Sequence, residues 1–355
     1  MTTAIVSDLH LGARSKRPIA EDERARAALL ERLDGVDHLV LLGDLLELRE
    51  APVGDALRTA EPVLRDLGAA LPAGARVTLV PGNHDHQLAD PLLDAWRLNG
   101  ARGALALDGS MPAPPDGPVG RIAECLGGPD LVLAYPGTWV RDDVFATHGH
   151  YLDVHNTVPA IECLGIAATR RVLGPLAREP RDAADYEAAL GPLYSLTYAI
   201  AQATGGRAAA GASGSVAIWQ RLDAGGLGAK ALTGLAIPAA VGALNMAGLG
   251  PFKPDLSGPE LRRAALRGIA TALGRLGVDA PHAVFGHTHR SGPWPGDDAA
   301  EWELRGGGRL LNSGSWVLEP AFVRDGASSP YWPGTCVFVD GAGPPRLERL
   351  LDSIP

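Results

Sequence analysis

The first eighty residues alternate between short apolar runs and helical spacings, and that alternation limits the fold more than any other feature of the chain. "TAIVSD" (3–8) is a brief apolar run of strand character. "PIAEDERARAALLERL" (18–33) opens on proline, carries acids early and repeats apolar residues at helical spacing, so it predicts a helix. "DHLVLLGD" (37–44) reads as a strand, "GDALRTAEPVLRDLGAAL" (54–71) as a helix and "ARVTLV" (75–80) as a strand. A β-α-β-α-β order requires crossover connections and so predicts a mostly parallel sheet. Further apolar runs follow at 130–140, 143–150 and 282–289, and "RLLNSGSWV" (309–317) and "GTCVFVDG" (334–341) look like closing strands. The expected class is α/β.

Between 155 and 280 the texture changes to alanine, glycine and leucine, and residues 188–206 and 231–250 carry no charge. The expected organisation is a core in two parts, 1–154 and 281–355, separated by a largely helical insertion or cap at 155–280. About twenty apolar residues suffice to span a bilayer. The 231–250 stretch, however, holds several glycines, a proline and an asparagine, which favours a buried or interfacial helix. Its lack of charge raises a further expectation, contact with a membrane surface or a lipid-like substrate through the insertion.

Every strand of the core ends in polar side chains. Asp8 and His10 follow the first, Asp44 the next, and Asn83, His84 and Asp85 the third. His148 and His150 end the run at 143–150, and His287 and His289 end the run at 282–289. In open α/β sheets ligands bind at the carboxyl ends of strands. Asp8, His10, Asp44, Asn83, His148, His287 and His289 are all oxygen or imidazole donors, a set suited to manganese, iron or zinc and too nitrogen-rich for a dedicated calcium or magnesium site. Seven donors exceed what one ion needs and would serve two ions that share a carboxylate. In "DLH" and "HTH" the two side chains stand at i and i+2, which on an extended backbone point the same way. The glycines before Asp44, Asn83 and His287 allow sharp turns at the strand ends.

A formal net charge of −9 argues against nucleic acid as a partner, because binding the phosphate backbone needs a basic footprint. Three scattered cysteines, Cys125, Cys163 and Cys336, with no CxxC, fit free thiols in a reducing compartment. No basic segment followed by an apolar one opens the chain, so a cytoplasmic location is expected.

The ordered motifs "DLH", "GDLLE", "GNHD", "THGH" and "GHTH" resemble those of the calcineurin-like metallophosphoesterase superfamily, over roughly 1–150 and 281–320. "SDLHLG" and "GHTHR" are similar to the branch containing UDP-diacylglucosamine hydrolases. The resemblance implies a four-layer α/β/β/α sandwich and two divalent ions, manganese first among the candidates. Asp8, His10 and His289 would hold one ion, Asn83, His148 and His287 the other, and Asp44 would bridge. It further implies direct hydrolysis of a small phosphorylated substrate, with His84 contacting the phosphate or protonating the leaving oxygen and Glu47 orienting His84. Arg14 and Arg290, at the edges of two motifs, are candidate substrate-binding residues because a guanidinium matches phosphate oxygens. Asp85 is expected to fix its loop, and His38, His86, His155 and His282 to be packing or surface residues. A catalytically idle relative serving as a scaffold or membrane-associated module is the competing class, and complete ligands speak against it. Sequence leaves the oligomeric state open.

Overall fold

A computed structural model describes residues 1–99, 105–157, 180–207, 237–246, 252–255, 257–320, 322–323 and 325–354. In chain order the strands are β1 (Thr3–Val6), β2 (Arg17–Pro18), β3 (His38–Leu42), β4 (Arg76–Val80), β5 (Asp108–Pro112), β6 (Asp130–Arg141), β7 (Val144–Thr147), β8 (His282–Phe285), β9 (Arg309–Asn312), β10 (Val317–Leu318), β11 (Thr335–Val339) and β12 (Arg346–Arg349). The helices are α1 (Glu23–Arg32), α2 (Val53–Ala70), α3 (Asp90–Leu98), α4 (Gly117–Leu126), α5 (Ala183–Thr204), α6 (Ile237–Met246) and α7 (Gly258–Leu276).

Ten strands form one sheet in the order β12-β11-β1-β3-β4-β6-β7-β8-β9, with β5 also paired to β6. The β1, β3, β4 and β6 run is parallel, as the alternating sequence predicts. β6 is the pivot. Its first half pairs with β4 and β5, and its second half turns to pair antiparallel with β7. From β7 onward, β8 and β9 add in parallel.

The unbroken apolar strands are explained by burial on both faces. Alternate residues enter two different cores, as a period of two requires. Ala4, Val6, Leu39, Leu41, Val77 and Leu79 pack with apolar residues of α1, α2 and α4. Ile5, Val40, Leu42 and Val80 face Val140, Val144, Ala146 and Val284 from the other half of the sheet. The expected α/β fold, a large sheet with helices, is thus present.

Three local expectations change. Residues 18–33 do not form one helix: a 3-10 turn covers Ile19–Glu21, and the α-helix begins at Glu23. The cause is Asp22, whose carboxylate accepts the N–H groups of Arg24 and Ala25 and so caps a new helix. β1 stops at Val6, two residues short of the run at 3–8. The 309–317 run is not one strand, because β9 ends at Asn312 and β10 pairs separately with β2.

The chain divides into two compact units, one holding residues 1–150, 197–208 and 279–355 and the other residues 151–196 and 209–278. In the second unit Tyr151 stacks on Tyr186 and donates to Glu187 at 2.6 Å. There α7 buries Leu266, Ile269 and Leu273. The uncharged 231–250 stretch is described only at α6, Ile237–Met246. Among the described residues no helix is long and apolar enough to cross a membrane. Cys163 lies outside the described residues; Cys125 and Cys336 are buried free thiols.

Candidate metal centre

The seven candidate donors meet at one edge of the sheet. They come from loops that follow β1, β3, β4, β7 and β8. Five of them hold a left-handed backbone: Asp8 (φ 54°), His10 (φ 46°), Asp44 (φ 51°), His287 (φ 68°) and His289 (φ 57°). Among the described residues no other non-glycine residue has positive φ. This conformation costs an L-residue about 1–2 kcal/mol, and such strain collects where function fixes geometry. These donors therefore converge through their own turned backbones and not through strand alternation. Asp8 and His10 do not face one way along an extended strand, since the strand has already ended; each is turned into the site by its own backbone.

The glycines before the donors act differently from one another. Gly43 supplies a true turn, with φ 83°. Gly82 and Gly286 have ordinary backbones and are needed for space. A Cβ at Gly82 would lie 2.3 Å from Asp44 Oδ1, and one at Gly286 would lie 2.5 Å from Asp8 Oδ2.

Three donor groups are close enough to share an ion: Asp8, His10 and His289; His10, Asp44 and His84; Asp44, His148 and His287. Asp44 Oδ2 stands 3.5 Å from His10 Nε2 and 3.4 Å from His148 Nε2, between the outer groups. Asp8 Oδ1 lies 3.3 Å from His289 Nε2, and the Nε2 atoms of His10 and His289 are 3.0 Å apart. Asn83 Oδ1 lies 3.1 Å from His148 Nε2 and 3.0 Å from His287 Nδ1.

These spacings fit metal ligation. Ligands about 2.1 Å from an ion stand about 3.0 Å apart in a right-angled arrangement and about 3.4 Å apart in a tetrahedral one. Asp8 Oδ1 is buried, and its nearest cationic neighbour is His289 Nε2 at 3.3 Å, too long for a strong charge-assisted bond and suited to two ligands of one cation. The ring tautomers fit as well. His10 Nδ1 donates to Glu47 at 3.0 Å, His148 Nδ1 to the Leu42 carbonyl at 3.1 Å and His289 Nδ1 to Glu319 at 3.0 Å, so each Nε2 is directed into the site.

Without a cation, protons carry the positive charge that balances the carboxylates. Burial alone would depress His289, but Glu319 and Asp8 raise it to about 10. Burial likewise opposes His148, and Asp44 raises it to about 9. Burial would raise Asp8, yet the hydrogen bond with His289 and the charges of His148 and His289 hold it at about 2.

Glu47 is fully buried and serves two imidazoles, accepting from His10 Nδ1 and, at 2.7 Å, from His84 Nδ1. Burial lowers His84 to about 3, with the neighbouring Lys16 and Arg49 cations acting in the same direction and Glu47 against them. Asp85 fixes the loop: its carboxylate accepts N–H groups of Gly82, Asp44, Leu45 and Leu46. Burial and the Asp44 charge raise Asp85 to about 7. His150 turns aside to Tyr135, 3.1 Å from its hydroxyl, while His148 takes the donor position. His38 packs between Thr3 and Thr78.

The candidate arginines have other partners. Arg290 is buried in a two-point ion pair with Asp297, at 2.7 and 2.9 Å, and lies over the Trp302 ring. Arg14 donates to the Gly205 carbonyl at 2.7 Å and reaches Asp55 at 3.4 Å. Three charged residues near the donors were missed: Lys16, Arg49 and Glu319. Glu319 had a readable signal, since it directly follows the apolar "WVL" as the other acids follow their runs. Lys16 is one of three lysines in a chain that otherwise uses arginine.

The calcineurin-like phosphoesterase family model matches residues 1–178. The chain belongs to that family. The matched half carries Asp8, His10, Asp44, Asn83 and His148; His287 and His289 lie beyond it, and the fold returns them to the same site. This phosphoesterase matches no curated protein. Family and donor groups together make it a metal-dependent phosphoesterase.

Proposed function

We propose that the protein hydrolyses phosphoester or phosphoanhydride bonds with two divalent ions, manganese being the best candidate. Asp8, His10 and His289 would hold one, Asn83, His148 and His287 the other, with Asp44 shared. The observation that carries this reading is the position of Asp44 Oδ2, at nearly equal distance from a donor nitrogen of each outer group. Such a pair, when bound, supplies Lewis acidity toward the phosphoryl group and a nucleophilic water at neutral pH.

The protein's own contribution is positioning. Glu47 holds His84 by its Nδ1, which leaves Nε2 for a phosphoryl or leaving-group oxygen. Burial keeps that imidazole neutral in the free site, and an arriving phosphoryl anion would raise its proton affinity, so proton donation follows substrate binding. His84 Nε2 must then carry the proton to the leaving oxygen. The core in two parts, 1–154 and 281–355, with the 155–280 segment as a cap that selects substrate, completes the reading. The uncharged 231–250 stretch supports a lipid-like substrate, the branch-like phrases "SDLHLG" and "GHTHR" a nucleotide-linked one, and the two free thiols a cytoplasmic location. A complete donor set weighs against an idle scaffold.

The test is metal content against turnover. Protein stripped and reloaded with manganese is assayed on an aryl monoester, an aryl diester, nucleoside diphosphate-linked compounds and lipid phosphates. Two ions per chain and metal-dependent turnover are expected; a single ion, or none, would end the dinuclear reading. His84→Ala is expected to keep its metal and lose about 100-fold or more in rate, and unchanged turnover would remove its catalytic role.

A further inference from the structure

Two residues beyond Arg14, the same loop sends a different cation into the site. Lys16 is only 12 % exposed, and its Nζ lies 3.3 Å from Glu47 Oε2 and 3.4 Å from His10 Nε2. Nζ thus pairs with Glu47, but at a length beyond the roughly 2.7–2.9 Å of a strong charge-assisted hydrogen bond, which leaves it able to turn toward an incoming oxygen. The carboxylates around it are already engaged: Glu47 by His10 and His84, Glu319 by His289. The loop that delivers it is firmly built. Glu50, itself buried, accepts the N–H of Arg14 at 2.8 Å and of Ser15 at 2.9 Å, and also binds the Ser15 hydroxyl. On the far side of the His10–His84 pair, whose rings stand edge-on at 4.6 Å, Arg49 Nη1 lies 3.4 Å from His84 Nε2.

An ammonium beside His10 Nε2 stands next to the place where that nitrogen would meet a metal ion. Two cations so close repel unless an anionic oxygen lies between them. A terminal phosphoryl group has three non-bridging oxygens sharing about two charges; a phosphodiester has two sharing one. A pair of metal ions and one imidazole meet the needs of a diester, and a further fixed cation suits the third oxygen. We propose that Lys16 binds that third oxygen and makes the site selective for substrates with a terminal, dianionic phosphoryl group over diesters. This rests on the phosphoesterase reading above and narrows its substrate class. Terminal phosphates on lipids, nucleotides or small alcohols share the chemistry, and the substrate arms separate them.

The experiment compares manganese-loaded wild type with Lys16→Met, which keeps chain length, and Lys16→Arg, which keeps charge. Readouts are kcat/KM on an aryl monophosphate and an aryl diester, and competitive inhibition by inorganic phosphate. Lys16→Met is expected to lower the monoester-to-diester ratio of kcat/KM by about 10- to 100-fold, the range for a charged hydrogen bond, and to weaken phosphate inhibition similarly, with bound metal unchanged. Lys16→Arg should recover most of both effects. An unchanged ratio together with unchanged phosphate inhibition, or equal loss on both substrates, would overturn the assignment. If wild type hydrolyses no substrate in the panel, calorimetric phosphate binding to the loaded protein decides the matter alone. Weaker binding by Lys16→Met then keeps the Lys16 assignment while the hydrolase reading falls; equal binding removes Lys16.

Discussion

The most direct test of Asp44 as the proposed shared ligand is a single methyl group. An alanine Cβ at position 82 would lie 2.3 Å from Asp44 Oδ1, 2.7 Å from the Asp44 amide nitrogen and 2.8 Å from His148 Cδ2. Ordinary contact begins near 3.4 Å, so Asp44 Oδ1 must retreat by about 1 Å or its backbone must move with it. Oδ1 also accepts the His84 N–H at 2.8 Å, so the retreat disturbs the loop that carries His84 at the same moment. Overpacking of this kind costs about 1–3 kcal/mol, which a domain of this size survives, while a 1 Å error in a reacting group costs about 100-fold in rate. Gly82→Ala should therefore remain folded, lose about 100-fold in turnover and weaken both ions, measured by calorimetric unfolding, metal content after dialysis and steady-state kinetics. Gly286→Ala, whose Cβ meets Asp8 Oδ2 at 2.5 Å, should weaken metal binding too, since that oxygen also accepts the His287 N–H. Gly128→Ala has no neighbour within 4 Å and serves as the control, with stability changed by no more than about 0.5 kcal/mol. Wild-type metal content and turnover in Gly82→Ala would refute Asp44 as the shared ligand.

Two further outcomes follow from the charges and hydrogen bonds. With His148 at about 9 and His289 at about 10 in the fold, against an ordinary 6.5, their stabilisation of the metal-free protein is complete below pH 6.5 and lost as pH rises through those values; calorimetry should show the metal-free Tm falling between pH 7 and 10. Ions that take those nitrogens must displace the protons, so loading at pH 7.5 should release about two protons per chain in a weakly buffered titration, and no release would contradict His148 and His289 as ligands. Asp85→Ala strips four backbone N–H groups of their common acceptor, so chemical denaturation should show a loss of about 2–4 kcal/mol; a loss below 0.5 kcal/mol on the order-of-magnitude scale of surface substitutions would show the loop is held by something else.

Much of this site was readable because parallel strands announce themselves twice, by an apolar run buried on both faces and by the polar residues at its end. Asp8, Asp44, Asn83, His148 and His287 were found in that way, and the α/β alternation placed them on one edge. What stayed hidden depends on three-dimensional neighbours. The partners of Arg14 and Arg290 could not be read from their position near a motif: Asp297 is seven residues past Arg290, and Gly205 is far along the chain from Arg14. Glu319 lies just past the two-residue strand β10 and meets His289, thirty residues earlier in the chain, a contact no periodicity reveals. Helix α1 starts late because a carboxylate at Asp22 competes for backbone N–H groups, a local effect within a sequence that otherwise repeats at helical spacing.

The left-handed donors carry a consequence for how such a protein can change over time. Five residues at about 1–2 kcal/mol each add up to about as much free energy as separates an ordinary folded domain from its unfolded chain. Glycine at any of the five would relax the backbone at that point, but it would also delete a chelating group and, at His289, the imidazolium that balances Asp8 and Glu319 in the metal-free fold. A fold shaped for stability alone would have no use for five strained donors side by side, so the contorted backbones and the chelating side chains stand or fall together.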